Sequence, residues 1–130
     1  MFERERQRAA EINAREWARS VVDAFRNLPE GWDSYGAMAV DPTAADLAEQ
    51  LLAELRRIPG LAIPQAAPSP DGGVSIEWHR TNIDLVISVG PGDEPPSAYI
   101  ANAGQEWEIP DLRGPSDGRF EAALDALTSR

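Results

Sequence analysis

The apolar residues of this chain change their spacing partway along it. Before Pro59-Gly60 they recur every three or four residues; between Val74 and Val89 they alternate with polar ones. The first spacing lines one face of a helix and the second lines one face of a strand. Helical spacing returns after Ser116. A chain that switches period in this order builds an α+β domain, with helices and an antiparallel sheet as separate layers. Its 130 residues suit a single domain over 1–130. That length buries about two-thirds of the unfolded surface on folding.

The first helix is expected over residues 9–28. Ala10, Ala14, Trp17, Val21, Phe25 and Leu28 form its stripe, and Ile12 and Val22 widen it. Residues 1–8 alternate Glu and Arg with little apolar content, so they either fray or extend the helix into solvent. Pro29 and Gly31 stop it. The second helix is expected over 43–58, with Leu47, Ala48, Leu51, Leu52, Leu55 and Ile58 as its stripe. Asp41 can cap it with Pro42 at the first helical position, or Thr43 can cap it with Asp46 three residues on. Residues 59–70 read as an extended connector, with Leu61–Ile63 as a candidate short edge strand.

Val74, Ile76 and Trp78 alternate with Ser75 and Glu77, and a second alternating run spans Ile83 to Val89. Short strands at 97–102 and 105–109 follow around Asn102-Ala103-Gly104. Consecutive strands joined by short turns give an antiparallel meander of about four strands. Ser75, Glu77, Asp84 and Ser88 mark one face as wet, so the helices should cover the other. A last helix near 118–128 buries Phe120, Ala123, Leu124 and Leu127, with Ser116 or Asp117 as its cap. The expected order is ααββββα.

Charge narrows the function. The net charge is -10, all twelve bases are arginine, and residues 31–130 carry the whole imbalance. Such a body repels phosphate, which argues against direct nucleic-acid binding. The acidity either keeps the chain soluble or forms a face that meets a basic partner or mimics nucleic acid. There is no cysteine, which removes disulfides, thiolate metal sites and thiol catalysis and suits a reducing cytoplasm. No apolar run approaches the roughly 20 residues of a membrane helix.

No catalytic set stands out. The serines lack a Gly-x-Ser-x-Gly elbow, and a single histidine limits any triad. Gly90-Pro91-Gly92 is not followed by the Gly-Lys-Ser/Thr of a phosphate loop, so no cofactor is implied. Glu77 and His79 share a strand face and could meet Asp84, but one imidazole with carboxylates is a poor metal set. Trp32-Asp33-Ser34-Tyr35-Gly36 is the most unusual loop. Its aromatics either anchor a partner or plug the loop onto the core, with Asp33 capping a turn and Gly36 at positive φ. Trp17 lies on a nearly heptad-spaced stripe that either packs on the sheet or pairs with a second copy.

Two segments together carry a resemblance: Gly31-Trp32-Asp33-Ser34-Tyr35-Gly36-Ala37 and Pro70-Asp71-Gly72-Gly73-Val74-Ser75-Ile76-Glu77-Trp78. Over roughly residues 28–100 the chain resembles a group of small bacterial and phage proteins with a Trp-Asp-Gly-Tyr-Gly-Ala element and a Pro-Asp-Gly-Gly…Glu-Trp element. Ser34 stands where that group often has glycine. The group has no assigned activity, so the resemblance implies architecture and a bacterial or phage setting.

The expectation is a non-enzymatic protein-binding module without a metal or cofactor, such as an inhibitor, an antitoxin or immunity-type partner, or an accessory subunit. Its candidate partner-binding residues are Trp17, Trp32, Asp33, Tyr35, Glu77, Asp93 and Glu94, with a homodimer through the first helix as one form of partner. The alternative is a small-molecule-binding domain or weak hydrolase that uses the pocket between the sheet and the Trp32–Tyr35 loop, with Asp33, Glu77 or His79 as acid or base.

Overall fold

The computed structural model describes residues 2–129. Its elements are α1 (Phe2–Arg26), α2 (Pro42–Arg56), β1 (Gln65–Pro68), β2 (Val74–His79), β3 (Ile83–Val89), β4 (Ser97–Asn102), β5 (Gln105–Ile109) and α3 (Arg119–Ala126). The strands form one sheet in the order β1-β2-β3-β4-β5, each antiparallel to its neighbours. The architecture is the expected α+β meander with one strand more than the four read from alternation. That strand pairs Gln65 with Glu77 and Pro68 with Val74. It lies past the Leu61–Ile63 stretch, where only Leu61 bridges, to Thr128. Its residues are Gln, Ala, Ala and Pro, which carry no apolar alternation strong enough to read.

One sheet face is buried. Val74, Ile76 and Trp78 of β2, Ile83, Leu85, Ile87 and Val89 of β3, and Ala98 and Ile100 of β4 point into the core. The residues between them are half-buried or exposed. The core is completed by Ala18 and Val22 of α1, by Leu52 and Leu55 of α2, and by Ala123 of α3 with Leu127 just beyond it. Each fully buried large side chain, such as Leu52, Ile76 or Leu85, stabilises the fold by about 1.5–3 kcal/mol through removal from water.

α1 is longer than expected and runs without a break through residues 2–8. Side chains show how it lies on α2. Glu11 meets Arg57 just past the end of α2 at 3.1 Å, while Arg26 reaches Asp46 at 2.9 Å and Glu49 at 2.8 Å near its start. The two helices are therefore antiparallel. α1 has 25 residues against 15 in α2, so its first turns overhang and residues 2–10 are all exposed. Overhang also corrects the stripe. Ala10 is exposed, and Ile12, 46% exposed, faces away from the core instead of widening the buried face. The buried residues are Ala14, Ala18 and Val22.

Asp41 caps α2, and Pro42 takes its first position; Thr43 is not the cap. The Asp41 side chain accepts from Ala44 N. α3 is shorter than expected, and its cap position is Gly118 in a left-handed conformation with no capping side chain. Ser116 and Asp117 act one step earlier, accepting from the amides of Gly118 and Arg119.

Candidate functional site

The loop between α1 and α2 is held by its own polar groups. Asp33 Oδ1 accepts from the amides of Tyr35 (2.8 Å) and Ala37 (3.0 Å). These bonds, Tyr35's first, hold the Asp33 carboxyl below the usual aspartate range. The Trp32 indole Nε1 donates to Met38 O at 2.9 Å, and Gly31 N donates to Ala37 O at 2.7 Å. Gly31, Ser34 and Gly36 all have positive φ. Ser34 at φ 67 occupies the region that glycine enters most freely.

Trp32 is half-buried but is not among the side chains packed on the core, and Tyr35 is 91% exposed, so neither ring plugs the loop onto the core. A hydrogen-bonded loop thus presents an aromatic ring to solvent.

This loop is knit to two others. Met38 N donates to Pro70 O, and Asp41 N donates to Gly72 O, both at 2.8 Å, joining it to the turn before β2. Asp41 Oδ2, the oxygen that caps α2, also accepts from Gly92 N at 3.1 Å, joining it to the loop between β3 and β4. Asp93 and Glu94 are exposed on that third loop. Three connections therefore meet at one end of the sheet and bring together the loops carrying Trp32, Asp33, Tyr35, Asp93 and Glu94.

The other candidate residues lie elsewhere. Trp17 is half-buried, with the Arg56 guanidinium 5.3 Å from its ring, so its place is the seam between α1 and α2. Glu77 projects from the open sheet face beside His79. His79 Nε2 lies 3.0 Å from Glu77 Oε1, and Nδ1 lies 2.9 Å from Asp84 Oδ1. The hydrogen bond to Asp84, then the one to Glu77, raises the pKa of His79 above its ordinary value. With a carboxylate on each nitrogen, the ring is best satisfied as an imidazolium donating twice. In that protonated form both ring nitrogens are donors. Among the described residues no three acidic or imidazole groups are arranged to hold a metal ion.

Asp33 does not join this cluster. Its loop is tied to Pro70, before β2 begins, whereas His79 ends that strand. A strand of this length separates the two by about 15 Å or more. The cleft between the sheet and the loop that would have united Asp33 with His79 is therefore not formed. The sequence reading missed the double use of Asp41. A helix-capping aspartate is visible in sequence, but its reach to Gly92 is a contact between distant segments.

No family model, no curated protein and no solved structure matches the chain. Among the described residues no helix is long and apolar enough to cross a membrane.

Proposed function

We propose that this chain is a non-enzymatic protein-binding module, an inhibitor, antitoxin or immunity-type partner or accessory subunit, that contacts its partner through the loop end carrying Tyr35. One observation supports the reading most: Tyr35 is 91% exposed on a loop whose backbone is pinned by Asp33 and by the Trp32 indole. Aromatic side chains on rigid supports are the usual anchors of interfaces, because little conformational entropy is lost when they are covered. Asp93 and Glu94 on the neighbouring loop add negative charge, which favours a partner with basic groups around an apolar pocket. The bacterial or phage setting rests on the sequence resemblance alone, and the cytoplasmic one on the lack of cysteine.

A photo-crosslinking residue at Tyr35 tests this in cells that carry the chain. The expected result is one discrete protein adduct that is absent when the same residue is placed at Ala24, which is exposed on α1. Equal labelling from both positions, or no adduct from Tyr35, refutes the reading.

A further inference from the structure

We infer that the outer edge of β5 is a docking strand for an extended segment of a partner protein in which arginine or lysine alternates with apolar residues.

The two edges of the sheet are unlike. On β1, Gln65 and Ala67 face β2 in the ladder, and Ser69 N continues it by donating to Gly73 O. Alternation then turns the backbone of residues 64, 66 and 68 outward. Two of these three are proline, which has no amide to donate. That edge is blunted at the positions where another strand would bond.

β5 has no such protection. Ala103 and Gly104 both have positive φ (51 and 82), the geometry of a two-residue hairpin in which Asn102 and Gln105 exchange hydrogen bonds. The ladder to β4 then uses Trp107 and Ile109 and turns the amides and carbonyls of Glu106 and Glu108 outward. Among the described residues no strand lies on that side, and no backbone group bonds to either amide. One edge is closed by proline and the other is left able to donate and accept.

Side chains on β5 select the occupant. Glu106 and Glu108 are both exposed and belong to the open face of the sheet. A second copy added antiparallel would set these carboxylates against one another, which disfavours self-pairing. A strand with basic residues at every second position places them beside Glu106 and Glu108 instead. Its intervening residues fall on the face of Trp107 and Ile109. There a cleft of about 440 Å³ adjoins the end of β5, with Ile109, Leu112 and Phe120 on its walls and Glu108 and Glu121 among its acidic groups. Main-chain bonds supply affinity, and alternate side chains supply the choice of partner, as in other strand-addition complexes.

Glu94 of the loop end and Glu108 of β5 line one cleft, so the two surfaces adjoin, and the test separates them by placing its substitutions on β5 and at Tyr35. The probes are a peptide of about ten residues alternating Arg and Val, one alternating Glu and Val, and one with the Arg and Val residues in two blocks. The variants are Glu108→Pro, which removes an outward amide, Glu106→Lys with Glu108→Lys, and Tyr35→Ser. The Arg/Val peptide is expected to slow hydrogen exchange at the Glu106 and Glu108 amides. Glu108→Pro should weaken it about tenfold, the double lysine variant should prefer the Glu/Val peptide, and Tyr35→Ser should change nothing. The lysine pair leaves the β5 amides in place and decides the matter if the proline variant does not fold. Absence of binding, binding without protection of those two amides, or equal binding of the blocked peptide overturns the inference. Loss of the Tyr35 adduct alone leaves it standing.

Discussion

Asp41→Ala removes one side chain that serves two parts of the molecule. Asp41 Oδ2 accepts from Ala44 N at 3.2 Å, capping α2, and from Gly92 N at 3.1 Å, tying down the loop that carries Asp93 and Glu94. The backbone bonds of the same residue, Asp41 N to Gly72 O and Ala45 N to Asp41 O, do not depend on the side chain and remain. Loss of a helix cap costs about 1 kcal/mol. Loss of an exposed hydrogen bond to a carboxylate adds about 0.5–1 kcal/mol once solvent competition is allowed for. The sum is about 1.5–2 kcal/mol. For a chain of 130 residues this lowers Tm by about 5–7 °C. Asp41→Asn keeps an oxygen in place and loses only the charge, so it should cost about half as much. Urea unfolding followed by tryptophan fluorescence measures both variants, and hydrogen exchange at the Gly92 amide reports the tether. Asp41→Ala within about 0.5 kcal/mol of the parent would refute the dual role, since typical surface substitutions change stability by no more than that. So would a destabilised variant whose Gly92 amide exchanges as before.

Two further outcomes follow from the sheet. Because the folded pKa of His79 is raised, its bonds to Asp84 and Glu77 contribute stability that is fully present below the unfolded value of about 6.5 and is lost as pH rises through the folded value. The stability gap between the parent and Asp84→Asn should therefore be larger at pH 5.5–6 than at pH 9, with the histidine titration moving down in the variant by NMR; an equal gap at both pH values rejects the clamp. Gly73→Ala should destabilise by about 3 kcal/mol, as a backbone clash in the core does. An added Cβ at Gly73 runs into the carbonyl oxygen of Val89 on the paired strand, and chemical denaturation of the variant checks the loss.

Much of the architecture was readable because burial imposes a local period. Leu52 and Leu55 declare the inner face of α2, and Ile76, Trp78, Leu85 and Ile87 declare the inner face of the sheet, whatever lies opposite them. The meeting of Glu77, His79 and Asp84 was readable for the same reason, since a two-residue period and a short turn put all three on one face. β1 was not readable. Its short Gln-Ala-Ala-Pro run carries no hydrophobic signal, and it is a strand only because β2 offers it an edge. Ala10 was misassigned because periodicity cannot tell how far a helix overhangs its neighbour, and Ile12 because it lies on the side of α1 turned away from the core.

The amino-acid order by itself determined which faces turn inward, where α2, α3 and the hairpins of β2 to β5 begin and end to within a few residues, and the acidity of the body. These follow from interactions between residues close in the chain. Only the tertiary structure decided that Asp33 and His79 stand at opposite ends of β2, that Tyr35 faces solvent, and that Asp41 ties two distant loops. It also decided which sheet edge is left open. Each of those depends on packing between segments far apart in sequence, and no local period encodes it.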